Sequence, residues 1–139
     1  GATTVTRYST VDDVGRCINP LIVHGQTHGG IVQGAGQALF EHCFVDHNSG
    51  QPVTGSLMDY GISRAADFPS FKTEIAEVLS PTNPLGIKAG GEGGTTPALA
   101  TIVNAVVDAL AEFGVEDIAM PLTPQRVWAA IQNSSSSNH

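Results

Sequence analysis

Leu85-Gly86-Ile87-Lys88-Ala89-Gly90-Gly91-Glu92-Gly93-Gly94-Thr95-Thr96-Pro97 is the stretch on which the fold turns. It sets one carboxylate between two pairs of glycines and runs into an apolar segment opened by a proline. Glycine backbones reach conformations closed to other residues and let a second group come close. Thr95 or Thr96 is suited to cap the helix that follows, with Pro97 in its first turn. Apolar spacing predicts that helix over Ala98–Phe113, stopped by Gly114. A carboxylate just ahead of a helix lies among unpaired N–H groups that favour negative charge. Glu92 is thus either a site residue or the acid of a connector that caps a helix. Two phosphate loops are excluded. Lys88 precedes the glycines, where a P-loop lysine follows them, and the glycine spacing does not fit the dinucleotide fingerprint.

Upstream, Asn19-Pro20 opens a segment from Leu21 to about Cys43 in which Ile22, Gly25, Gly29, Val32, Gly36, Leu39 and Phe40 recur at helical spacing. Each glycine inside a helix costs about 1 kcal/mol relative to alanine. Gly25, Gly29, Gly30, Gly34 and Gly36 therefore call for an offsetting contact, either another backbone or a cofactor lying on a smooth face. His24 and His28, four apart, share one face as in helical zinc sites, but Gly25 stands where a zinc protease carries its glutamate. Packed, hydrogen-bonded histidines are the plainer reading, and no metal ligand is assigned. Gln26, between them, offers one acceptor and two donors, enough to hold a planar heterocycle or to lie as a surface amide.

The remaining segments complete the outline. Thr3–Asp12 reads as a strand whose natural hairpin mate would precede residue 1, and Asp12-Asp13-Val14-Gly15 ends it. Phe44-Val45-Asp46 and Gln51-Pro52-Val53 flank a turn at His47–Gly50. Ser56–Pro69 is irregular, Phe71–Leu79 a half-buried strand, and Ser80–Pro84 a rigid connector. Val115–Ala119 reads as a short strand, and Thr123-Pro124 starts a last helix through Trp128 and Ile131. Strands and helices mix without strict alternation. The expected fold is α+β, a mixed or antiparallel sheet packed with two main helices in a single domain at 1–132, with a disordered tail at 133–139.

Composition narrows the partners. Six basic against thirteen acidic residues leave a net charge of −7, which argues against nucleic acid or an anionic membrane as partner. No apolar run is long enough to cross a bilayer, and no export signal opens the sequence. Cys17 and Cys43 have no metal-ligand spacing and are too few for a disulfide scaffold. A cytoplasmic protein with reduced thiols is expected.

Taken together, these motifs resemble the C-terminal part of the molybdopterin-binding large subunit of the xanthine dehydrogenase/aldehyde oxidase family. The nearest branch is its bacterial carbon-monoxide-dehydrogenase-like and aldehyde-dehydrogenase-like one. The resemblance rests on Asp13-Val14-Gly15, Asn19-Pro20, Gly25-Gln26, His28-Gly29-Gly30-Ile31-Val32-Gln33-Gly34 and Gly36-Gln37-Ala38-Leu39. Further along, Lys88-Ala89-Gly90-Gly91-Glu92 leads to a proline and a helix in the family's manner. It spans the chain from about Val5 to Ile131.

The resemblance implies that Glu92 is the general base of an oxidative hydroxylation of an aldehyde or N-heterocycle, shielded from water so that its pKa rises. It implies that Gln26 hydrogen-bonds the pterin, with Gly25, Lys88, Gly90 and Gly91 lining the cofactor. The implied cofactor is molybdopterin with molybdenum, in its cytosine dinucleotide form. Iron–sulfur clusters and FAD would lie on partner segments or subunits, since this chain carries no motif for either. The remainder of a large subunit is the implied partner. A self-associating, non-catalytic module of the same fold is the alternative, with a homo-oligomer as its consequence.

Overall fold

The computed structural model describes residues 1–136. Its elements are β1 (Ser9–Asp13), α1 (Pro20–Leu39), β2 (Lys72–Ala76), α2 (Thr95–Ala109) and α3 (Pro124–Ser136), with single 3-10 turns at Ala65–Asp67 and Ala111–Phe113. The fold is α+β, with α1 and α2 as its main helices.

α1 starts where its sequence directs. Asn19 is extended (φ −141°, ψ 99°), its side chain accepts the Ile22 N–H, and Pro20 takes the first helical position. A cap of this kind contributes about 1 kcal/mol. Ile31, Ala35, Ala38 and Leu39 then form one buried stripe. On α2, Ala98, Ile102 and Val106 recur every four residues and face them, the spacing that puts side chains on one side of a helix. Leu110, Val115, Ile118, Leu122 and Val127 close the core.

The two helices approach backbone to backbone, and the glycines permit it. A Cβ on Gly30 would stand 2.8 Å from the Thr95 nitrogen, and one on Gly34 would stand 2.7 Å from the Thr95 carbonyl oxygen and the Ala98 Cβ. A side chain at either position would drive the helices apart.

β1 and β2 pair in parallel, in register from Ser9↔Lys72 to Asp13↔Ala76. Antiparallel pairing is confined to two isolated bridges, Gly15↔Ile87 and Val45↔Pro52. The second bridge is the expected turn at His47–Gly50, supported by Asp46 N–H to the Gln51 carbonyl at 2.9 Å and Val53 N–H to the Phe44 carbonyl at 2.8 Å.

Three local expectations differ from the structure. The strand expected from Thr3 begins only at Ser9, where the pairing to Lys72 starts with the Lys72 N–H donating to the Tyr8 carbonyl at 3.0 Å. Val115–Ala119 is not a strand either. It forms no ladder with another strand among the described residues, and Val115 and Ile118 are instead drawn into the helical core. At the other end α3 carries on to Ser136, past the expected start of the tail at 133, while residues 137–139 lie outside those described.

Candidate functional site

Two glycines in the left-handed region create the site's floor. Gly15 (φ 62°) and Gly86 (φ 69°) lie against each other, and a Cβ on Gly15 would come within 2.2 Å of the Gly86 carbonyl oxygen. That closeness lets Arg16 N–H donate to Gly86 O at 3.0 Å and Lys88 N–H donate to Val14 O at 2.9 Å. The segment after β1 is thereby sewn to the segment before the Glu92 loop. An ion pair reinforces the seam, Lys88 Nζ to Asp13 Oδ2 at 2.5 Å. The Lys88 ammonium, followed by the Gly15 N–H, holds the Asp13 carboxyl below the usual carboxylate value.

Above this floor lies a cleft of about 420 Å³ lined by Val14, Arg16, Cys17, Ile18, Asn19, Ile22, Val23, Gln26, Ile87, Lys88, Gly90 and Gly91. Gln26, Lys88, Gly90 and Gly91, expected from sequence to bind cofactor, are all in its wall. Gln26 Nε2 donates to the Gly91 carbonyl at 2.7 Å, which clips the loop to α1. Its Oε1 has no partner among the described residues and remains a free acceptor. Gly25 and Glu92 are not in the lining, although each adjoins a residue that is. A larger hollow of about 460 Å³ lies between residues 1–8, α2 and α3, and none of the candidate residues borders it.

Glu92 itself is exposed. Its carbonyl accepts the Thr95 and Thr96 N–H groups, each at 3.1 Å, and the Thr96 hydroxyl at 3.1 Å. The start of α2 is therefore satisfied by this backbone oxygen, with Gly94 rather than a threonine at the cap position. No partner engages the Glu92 carboxylate among the described residues. The shielding that the resemblance implies is not provided by these residues.

His24 and His28 do converge, but on a hydroxyl. His24 Nδ1 lies 2.7 Å and His28 Nε2 3.1 Å from Thr73 Oγ1, tying α1 to β2. Among the described residues no three metal-ligating side chains cluster.

The glycines test whether a cofactor fits. Around Gly25, Gly29 and Gly91 a Cβ would meet nothing within 4 Å, so chain packing does not account for them. Open glycines, a free amide acceptor and a cleft rich in backbone suit a flat heterocycle with polar edges. Sequence reasoning overlooked Arg16, Cys17, Ile18, Ile22, Val23 and Ile87 as lining. Their signal was position alone, since they flank the Asp13–Gly15, Asn19–Pro20 and Lys88–Glu92 motifs.

Comparison with known proteins bears on this geometry. Residues 1–69 match the family described as a molybdopterin cofactor-binding domain. The chain is 42% identical over 135 residues to the gamma subunit of the 6-hydroxypseudooxynicotine dehydrogenase complex of Paenarthrobacter nicotinovorans. It is 36% identical over 132 residues to the carbon monoxide dehydrogenase large chain of Hydrogenophaga pseudoflava. Each alignment covers 95% of this chain and 16% of the relative. The chain belongs to the molybdopterin-binding large-subunit family. Among solved structures, quinoline 2-oxidoreductase from Pseudomonas putida 86 superposes with a TM-score of 0.90 at 45% identity, over 94% of this chain and 16% of that one. The match confirms the α+β architecture. No helix among the described residues is long and apolar enough to cross a membrane.

Proposed function

We propose that this chain is the molybdopterin-binding part of a molybdenum hydroxylase or aldehyde dehydrogenase, and that Glu92 is the general base for oxidative hydroxylation of an aldehyde or N-heterocycle. The observation that carries the reading is the cleft. Gln26 from α1 and Lys88, Gly90 and Gly91 from the distant loop meet in one wall, with Glu92 next in the chain. The molybdenum cofactor, when bound, supplies the redox chemistry.

The chain's own residues bind and orient. Gln26 Oε1 accepts from a polar edge of the pterin while its Nε2 stays on Gly91. Gly25, Gly90 and Gly91 let the ring system approach the backbone. Lys88, held by Asp13, keeps the loop's entry in place. Glu92 takes a proton at its carboxylate, the part of a general base. In this reading the cofactor has the cytosine dinucleotide form, electrons leave through iron–sulfur and flavin partners, and the complex is cytoplasmic.

A self-associating, non-catalytic module is the second reading. Leu21 at 83% exposure, Met58 at 94% and Leu57 at 74% leave apolar surface that a second copy could cover. Elemental analysis of the purified chain beside its mass in solution separates the two. About one molybdenum per chain, retained in Glu92→Gln while turnover falls by about 10²–10⁴-fold, supports the first reading. A metal-free oligomer refutes autonomous cofactor binding.

A further inference from the structure

Three consecutive contacts bracket the one residue that chemistry would use. Gly91 is held by Gln26. Gly94 is seated on the Thr27 carbonyl, so closely that a Cβ there would lie 2.4 Å from that oxygen. Gly93 faces Asp12, whose Oδ1 would be 3.6 Å from a Cβ at that glycine. Only Glu92, between them, keeps a free side chain.

The partners on the far side are themselves joined. Thr27 is a buried polar side chain, 4% exposed, and its Oγ1 donates to Asp12 Oδ2 at 3.0 Å. A threonine within a helix commonly turns its hydroxyl back to its own preceding turn. Thr27 instead reaches β1, and a bond to an ionised carboxylate is stronger than one between neutral groups.

We propose that Asp12 and Thr27 are positioning residues for Glu92. They form a latch from β1 to α1 that fixes the backbone of the Gly90–Gly94 loop and hence the direction in which the Glu92 carboxylate points. The proposal deepens the reading of Glu92 as base and rests on it. The latch itself is a property of the chain without cofactor. Through it β1, which contributes no side chain to the reaction, sets the geometry of the base.

Backbone ¹⁵N relaxation on the full chain tests the latch directly. Order parameters of Gly91–Gly94 are expected to fall from a rigid value of about 0.85 to below about 0.6 in Thr27→Val and in Asp12→Ala. Ile31 and Ile102 should stay at the rigid value. Thr27→Ser keeps the donor and Asp12→Asn keeps an acceptor, so both should retain an ordered loop. Asp12→Ala, at a partly exposed strand position, reads the same bond should Thr27→Val not fold.

An ordered loop in both Thr27→Val and Asp12→Ala would overturn the proposal, as would a loosened loop that Thr27→Ser does not restore. In cofactor-loaded protein, Thr27→Val is expected to lower kcat on the order of 10- to 100-fold, the cost of misplacing a reacting group, with KM moved by less than about twofold. If Glu92→Gln keeps full turnover while Thr27→Val still loosens the loop, the base reading falls and the latch stands.

Discussion

The two halves of α1 are built from the same residue types and are used in opposite ways. From Gly30 to Leu39 nearly every small or apolar residue is buried against α2, and Gly30 and Gly34 are glycine because backbone or side-chain atoms of α2 occupy the space a Cβ would need. From Pro20 to Gly29 the helix is open on its cleft side, while Thr27 is buried and His24 and His28 reach Thr73. Leu21 and Ile22 are exposed, Gly25 and Gly29 face empty space, and Gln26 stands in the cleft. A glycine-rich helix thus carries two different reasons for its glycines, one met inside the chain and one not. Composition cannot tell them apart; the neighbour at each Cβ position can.

Paired substitutions break or sharpen the contrast. Ile31→Ala in the buried half should destabilise by about 2–5 kcal/mol, the cost of a core cavity, while Ile22→Ala in the open half should stay within about 0.5 kcal/mol. Urea unfolding midpoints of the two variants measure it, and equal midpoints would erase the distinction. Gly34→Val should cost about 1–3 kcal/mol or more by forcing the helices apart. Gly25→Ala should do the reverse, stabilising by about 1 kcal/mol through helix propensity, yet reduce the molybdenum content of cofactor-loaded protein. Gain of stability with loss of metal is the signature of a glycine kept for a ligand. A Gly25→Ala variant that binds metal normally would assign that glycine no part in the site.

The smallest effect concerns pH. Asp13 is depressed below the ordinary carboxyl value of 3.8 by Lys88 and the Gly15 N–H. A folded value below the unfolded one gives stability that is complete above 3.8 and is lost as pH falls through the lower folded value. Asp13→Asn should therefore flatten the acid limb of the stability curve by lowering stability at neutral pH to the same extent, a small one since the pair is partly exposed. An acid limb of undiminished slope would assign the protection to another carboxyl, with Asp46, depressed by Ser49, next in line.

Legibility followed the range of the interaction. α1 and α2 could be read because a cap and a period of four are local, as Asn19-Pro20 and Ala98/Ile102/Val106 show. Val115–Ala119 was misread because a strand needs a neighbour, and its apolar residues served a helical core just as well. The Gln26, Lys88, Gly90 and Gly91 set was legible as motif, and the structure joins it in one wall. The Asp12–Thr27 bond and the Asp13–Lys88 pair were not, since nothing near Asp12 or Asp13 in sequence announces a partner on α1 or beyond Ser80.

The seam beneath the cleft has a kinetic consequence. Its bonds join residues 69 and 75 positions apart, Arg16 to the Leu85 carbonyl and Asp13 to Lys88. Closing so long a loop loses chain entropy before any contact offsets it, so distant pairings form slowly. α1 can coil within microseconds on its own stretch of chain. The cleft must wait for the second half of the polypeptide to return across the first. During synthesis it cannot exist before Leu85–Gly91 has emerged, and a chain stopped before Leu85 carries Gln26 with nothing to hold.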